Sequence, residues 1–143
     1  MTSTLQRFTR GAVQAALSRP DLAVCDVLVI EDDEDCREVL CLLLSSEGYR
    51  VRAVASGADA LSTLEKMEDT PRLILLDLVM PEMSGFECLR IMRRNPTLAT
   101  IPVVVHSGLS PQPDIGPPAG VERWLQKPVQ VEVLLEVTRE LVG

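Results

Sequence analysis

No stretch of this chain approaches the ~20 consecutive apolar residues that cross a bilayer, and residues 1–22 lack the apolar core of a signal peptide. Neither a membrane span nor a secretory leader is expected. The four cysteines, Cys25, Cys36, Cys41 and Cys88, form no CxxC pair and no metal-ligand spacing. Reduced thiols in a cytoplasm are therefore expected, with no catalytic cysteine among them. Three of the four fall at a strand start or within helical stretches, where cysteine packs as a small hydrophobe. No GxGxxG, and no GxxxxGK followed by Ser or Thr, comes after an apolar segment, which argues against a nucleotide-binding module. Basic residues are scarce as well. Residues 1–24 carry Arg7, Arg10 and Arg19 against Asp21, a net +2, leaving −9 for the remainder of a chain whose total is −7. Neutralising nucleic-acid phosphates requires a basic face, so nucleic acid is not an expected partner.

What is present points to one globular unit: 143 residues with 46% hydrophobic content suit one domain with a sizeable core. Short apolar runs alternate with stretches of helical spacing, the pattern of a parallel sheet covered on both faces by helices. Val27-Leu28-Val29-Ile30 reads as the first strand. Asp35 to Glu47 follows as a helix, with Cys36, Val39, Leu40, Leu43 and Leu44 on one face and Gly48 as its stop. Arg50 to Val54 is the second strand. Ser56, with Asp59 three residues on, opens a helix through Leu61, Leu64 and Met67 that ends before Pro71. Leu73 to Leu76 is the third strand, and Ser84-Gly85 opens a helix with Phe86, Leu89 and Met92 at core spacing, halted by Asn95-Pro96. Val103 to His106 and Arg123 to Gln126 complete the strands. A last helix from Gln130 to Leu141 turns Leu134, Val137 and Leu141 inward.

One segment breaks this rhythm. Between Ser107 and Val121 stand Pro111, Pro113, Pro117 and Pro118 with Gly108, Gly116 and Gly120, and each proline inside a helix costs about 3 kcal/mol. The fourth covering helix is expected to be lost or reduced to a Pro-rich loop. No two of these prolines lie three apart, so a PxxP ligand is not expected. Residues 1–23 form an N-terminal extension in which Leu5, Phe8, Ala12 and Ala15 or Ala16 share one side at helical spacing. A weak helix serving as a partner or dimer contact and a disordered segment are both open there.

The chemistry gathers at strand ends, where α/β proteins place their sites. The first strand ends in Glu31-Asp32-Asp33, the third in Asp77, the fourth in Ser107, and the fifth in Lys127-Pro128. Carboxylates converging on one rim repel unless a cation joins them, and an all-oxygen site of this kind suits Mg²⁺. An Asp beside Mg²⁺ can attack phosphorus and become an aspartyl phosphate, with Lys127 as the neighbouring ammonium and Ser107 as a hydroxyl donor to a phosphoryl oxygen. Any one of these residues alone reads as a solvated strand end. The set of four on one rim reads as a site.

Those residues together resemble the receiver domain of two-component response regulators over about Val24 to Val142, which implies a flavodoxin-like, doubly wound five-stranded parallel sheet of order 2-1-3-4-5. The family's acidic pair falls on Glu31 and Asp32, its phosphoacceptor on Asp77, its Met-Pro-x-x-x-Gly loop on Met80 to Gly85, its Thr/Ser on Ser107 and its Lys-Pro on Lys127-Pro128. The resemblance implies that Asp32, Asp77 and the backbone carbonyl of Val79 ligate Mg²⁺, that Glu31 acts through water, and that Asp33 stands outside the pair. It implies a histidine kinase or phosphotransfer protein as phosphoryl donor, a downstream protein target, and a switch that couples Ser107 to Trp124, the only Trp in the chain. The protein would be no enzyme in the ordinary sense, catalysing only its own phosphorylation and dephosphorylation, and a homodimer stays open. With no effector domain after Gly143, it is expected to act as a single-domain regulator through protein contact or onward phosphate transfer. Departures are the Pro-rich stretch, which replaces a helix of the usual output face, and His106, which occupies a strand position usually apolar in the family and is expected to be a packed core residue.

Two rivals remain. A phosphatase of the haloacid-dehalogenase type needs a second Asp two residues after the first, where Val79 stands. A pseudo-receiver, a protein-binding module that no longer depends on phosphorylation, fits the altered output segment but not the intact acids and Lys127.

Overall fold

Apolar tetrads without a polar interruption become the centre of the sheet. The computed structural model describes residues 24–111 and 120–143, and within them β1 (Val27–Ile30) and β3 (Leu73–Leu76) are buried at every position. With β2 (Val51–Val54), β4 (Val103–Ser107) and β5 (Val121–Gln126) they form one parallel sheet in the order β2-β1-β3-β4-β5. This is the flavodoxin-like order expected from the sequence. The N-terminal extension and the centre of the Pro-rich stretch, residues 112–119, lie outside the described residues.

Four helices cover the sheet among the described residues: α1 (Glu34–Ser46), α2 (Gly57–Lys66), α3 (Gly85–Arg94) and α4 (Val131–Val142). Their starts follow from local chemistry. Asp33, Ser56 and Ser84 each accept the backbone N–H three residues ahead, from Cys36, Asp59 and Glu87, and such a cap contributes about 1 kcal/mol. Gly48, with φ +91°, ends α1 in a conformation that costs a side-chain-bearing residue more. None of the described residues between β4 and β5 is helical.

Strand alternation assigns the two faces. Leu28, Ile30, Ile74, Leu76, Val103 and Val105 pack with Ala60 and Leu64 of α2 and Cys88, Leu89 and Met92 of α3. Val27, Val29, Leu73, Leu75 and Val104 pack with Leu40, Leu43 and Leu44 of α1 and Leu134 and Val137 of α4. Burying each such side chain contributes about 1.5–3 kcal/mol. Continued by one step of two, the second face places Glu31, Asp77 and His106 side by side at the carboxyl rim, because Ile30 pairs with Leu76 and Leu76 with Val105.

Three details depart from the sequence reading. Phe86 is 45% exposed and does not join the core; the buried stripe of α3 is Gly85, Cys88, Leu89 and Met92. The spacing is helical, but its first position is a glycine with no side chain to mark it. Val39 lies 37% exposed on α1, beside a cavity between α1 and α4. β5 starts at Val121, two residues before the apolar signal. It is an edge strand with a bulge opposite Val103 and Val104, so its first half is not uniformly buried.

Candidate functional site at the carboxyl rim of the sheet

Asp77 leaves β3 with its backbone N–H bonded to the carbonyl of Ile30 at 3.0 Å, and its residue is only 4% exposed. Both carboxylate oxygens have partners. Oδ1 accepts the N–H of Val79 at 3.1 Å, and Oδ2 accepts from Nζ of Lys127 at 3.2 Å. The same ammonium donates to Oε1 of Glu31 at 2.9 Å, so residues from the ends of β1, β3 and β5 meet at one nitrogen. Lys127 is held in turn by its backbone N–H, which donates to the carbonyl of Ser107 at 2.8 Å.

Burial sets the electrostatics. It pushes the Glu31 carboxyl up to about 7, with the neighbouring Asp77 adding to the rise and Lys127 opposing it. Burial acts on Asp77 in the same direction, but the adjacent Glu31 carboxyl, the Val79 N–H and the Lys127 ammonium outweigh it and hold Asp77 below the usual carboxylate range. At neutral pH Asp77 is therefore the ionised partner of the two. Burial works against the Lys127 ammonium, and the two carboxylates more than reverse that, raising its pKa.

Asp32 is exposed, yet one carboxylate oxygen from each of Glu31, Asp32 and Asp77 lies within 4.8 Å of the others. An all-oxygen donor set of this kind fits a hard dication such as Mg²⁺. Asp33 stands outside that group and caps α1. Two further residues shape the rim: Arg37, which carried no sequence signal, and Gly85 of the Met-Pro-x-x-x-Gly loop. Arg37 pins the turn after β1 by donating to the carbonyls of Glu31 at 2.9 Å and Asp32 at 3.3 Å. Gly85 bonds its N–H to the carbonyl of Leu78 at 3.0 Å, and a Cβ there would strike the Asp77 carbonyl and the Leu78 Cα.

Ser107 is fully buried at the end of β4 and accepts the N–H of Leu109 at 3.2 Å. Trp124, opposite Val105 in the sheet, is partly buried and donates its indole N–H to the Leu109 carbonyl at 2.9 Å. The two residues expected to form a switch are thus bonded to the same intervening residue. His106 is 1% exposed, a packed residue as expected, and burial pushes its pKa down to about 4, so the ring is neutral. Of the cysteines, Cys25, Cys41 and Cys88 are buried, and burial raises every one of the four thiols. No helix among the described residues is long and apolar enough to cross a membrane.

Fold and rim define a signalling module with an acidic site at the topological switch of its sheet. The chain matches the response regulator receiver domain over residues 27–139, and it belongs to that family. It is 33% identical over 121 residues to an uncharacterised 14.6 kDa protein of Leptolyngbya boryana, covering 83% of this chain and 91% of that one. It is 38% identical over 110 residues to the transcriptional regulatory protein AfsQ1 of Streptomyces coelicolor. That alignment covers 76% of this chain and only 47% of the regulator, so the chain spans about half of that relative's length. Its fold is similar to the crystal structure of the receiver domain of the sensor histidine kinase PA1611 from Pseudomonas aeruginosa, which has a magnesium ion coordinated in the active site cleft. The TM-score is 0.73 and the identity 26%, covering 83% of this chain and 98% of the other. Receiver domains bind Mg²⁺ in the active site and interact with histidine kinases or phosphotransfer proteins.

Proposed function

We propose that Asp77 accepts a phosphoryl group from a phosphohistidine on a histidine kinase or phosphotransfer protein, and that the resulting aspartyl phosphate is read out by contact with a downstream protein in the cytoplasm. The observation that carries this reading is the ammonium of Lys127 shared between Glu31 and Asp77. It holds an ionised carboxylate in place and puts a cation where phosphoryl charge develops.

In the reaction a carboxylate oxygen of Asp77 attacks phosphorus. The O–P bond forms, the P–N bond of the donor breaks, and its electron pair leaves on the imidazole nitrogen, which takes up a proton. Asp32, Asp77 and the carbonyl of Val79 would hold Mg²⁺, with Glu31 acting through water; when bound, the ion neutralises charge on the phosphoryl oxygens. Lys127 would pair with a phosphoryl oxygen once Asp77 carries the acyl phosphate. Ser107 would turn its hydroxyl to donate to the phosphoryl group, shifting the oxygen that accepts from Leu109, and Trp124, tied to the same Leu109, would feel that shift.

Incubation with acetyl phosphate tests this. Mg²⁺-dependent labelling that disappears in Asp77→Asn is expected. An absence of labelling in the wild-type protein with Mg²⁺ present would favour the phosphorylation-independent binding module.

A further inference from the structure

Beside the acid pocket, and facing α1, lies a second group of potential ligands of softer chemistry. A carboxylate oxygen of Glu31, the thiol of Cys36 and a ring nitrogen of His106 all lie within 4.8 Å of one another. They come from the end of β1, the first turn of α1 and β4, and no spacing in the sequence links them. Oε2 of Glu31 and Nε2 of His106 are buried without a hydrogen-bond partner among the described residues. Both residues are at most 1% exposed, and unsatisfied polar atoms this deep are costly unless a ligand or water meets them. Nδ1 of the same ring stands 4.0 Å from Oε2 of Glu31, too far for a hydrogen bond. Cys36 is fixed by its own backbone N–H, bonded to Asp33 at 2.9 Å. Cys36 and His106 also line a cavity of about 570 Å³ between α1 and α4, which supplies an entry path and room for a further ligand.

We propose that Glu31, Cys36 and His106 form a binding site for a borderline-soft divalent cation of the Zn²⁺ class, with a water from the cavity as fourth ligand. Carboxylate oxygen, thiolate sulfur and imidazole nitrogen are the ligands Zn²⁺ takes, at about 2.0–2.3 Å. His106 already carries the neutral ring that ligation requires. Binding displaces the Cys36 proton to solvent. The thiolate offsets one charge of the dication and the Glu31 carboxylate, whose other oxygen stays with Lys127, faces the second. Because Glu31 also belongs to the Asp32 and Asp77 cluster, filling this site draws a carboxylate away from Mg²⁺.

Co²⁺ added to reduced, tag-free protein is the test, since a thiolate on Co²⁺ gives a charge-transfer absorption that carboxylates do not. One equivalent giving that absorption in the wild type and in Asp77→Asn, but not in Cys36→Ser or Cys36→Ala, is expected. The site therefore stands or falls apart from the phosphoacceptor reading. Zn²⁺ affinity should fall by more than roughly 100-fold in the Cys36 variants, as loss of even an outer-shell partner costs about 10–100-fold. The chain has a single His, so the imidazole nitrogen resonances of His106 should shift on Zn²⁺ addition, a readout that needs no His106 variant to fold. No thiolate absorption, an absorption that survives in folded Cys36→Ser, or an unmoved His106 resonance would overturn the site.

Discussion

Trp124 donates its indole N–H to the carbonyl of Leu109 at 2.9 Å, across 15 residues of sequence. Leu109 in turn donates its own N–H to the hydroxyl of Ser107. A phosphoryl group that draws the Ser107 hydroxyl toward Asp77 would shift the oxygen that accepts from the Leu109 N–H, and the loop and the indole would follow. As the only Trp in the chain, Trp124 should report this directly: its fluorescence is expected to change on Mg²⁺-dependent phosphorylation and to stay constant in Ser107→Ala. Trp124→Phe, which loses the hydrogen bond, should cost about 1 kcal/mol in denaturant unfolding.

Gly85 faces the Asp77 carbonyl too closely for any Cβ. Gly85→Ala is expected to push the Asp77 end of β3 and α3 apart, lowering stability by about 1–3 kcal/mol and slowing the proposed phosphorylation by acetyl phosphate. Comparable labelling rates in Gly85→Ala and wild type would show that the loop yields without moving Asp77.

Glu31 gives a pH signature in Mg²⁺-free buffer. Its carboxyl is raised from 4.5 to about 7 in the folded chain, so the folded state holds a proton that the unfolded state has released. Stability linked to this group is fully present below the unfolded value and is lost as pH rises through about 7. Glu31→Gln cannot ionise and escapes that loss. Its stability relative to wild type should improve by up to about 3 kcal/mol between pH 4 and pH 8, at 1.36 kcal/mol per unit, while its Mg²⁺ binding weakens. Equal pH dependence of the two proteins in urea unfolding would contradict the burial argument.

Lys127 should matter more for chemistry than for folding, because its ammonium is partly exposed and compensates carboxylates of which one is readily protonated. Lys127→Ala is expected to lower the rate of Asp77 phosphorylation by about 100-fold, the scale of one lost charge-stabilising donor. An unchanged rate, measured by phosphoprotein gel, would place the phosphoryl group beyond the reach of this side chain.

Much of this architecture is legible in the residues themselves. Val27 to Ile30 and Leu73 to Leu76 are uninterrupted because both faces of a central parallel strand are buried. Each ends in an acid because the next residue emerges at the rim. Ser56 and Ser84 announce their helices through the bonds they go on to make. What was hidden depends on three-dimensional convergence. Phe86 lies one residue off the buried stripe of α3. Arg37 holds the turn through backbone carbonyls, which have no sequence signature. Cys36 and His106 are 70 residues apart in the numbering and meet over Glu31 only because β1, β3 and β4 are laid side by side.

The most direct measurement is to identify the phosphorylated side chain: load the protein with acetyl phosphate and Mg²⁺, reduce the acyl phosphate with borohydride, and locate the resulting homoserine by peptide mass spectrometry. Homoserine at position 77 alone, and none when Mg²⁺ is chelated, is the expected result. Modification at Asp32, Asp33 or another acid with Asp77 intact would contradict the shared-ammonium site as the seat of phosphorylation.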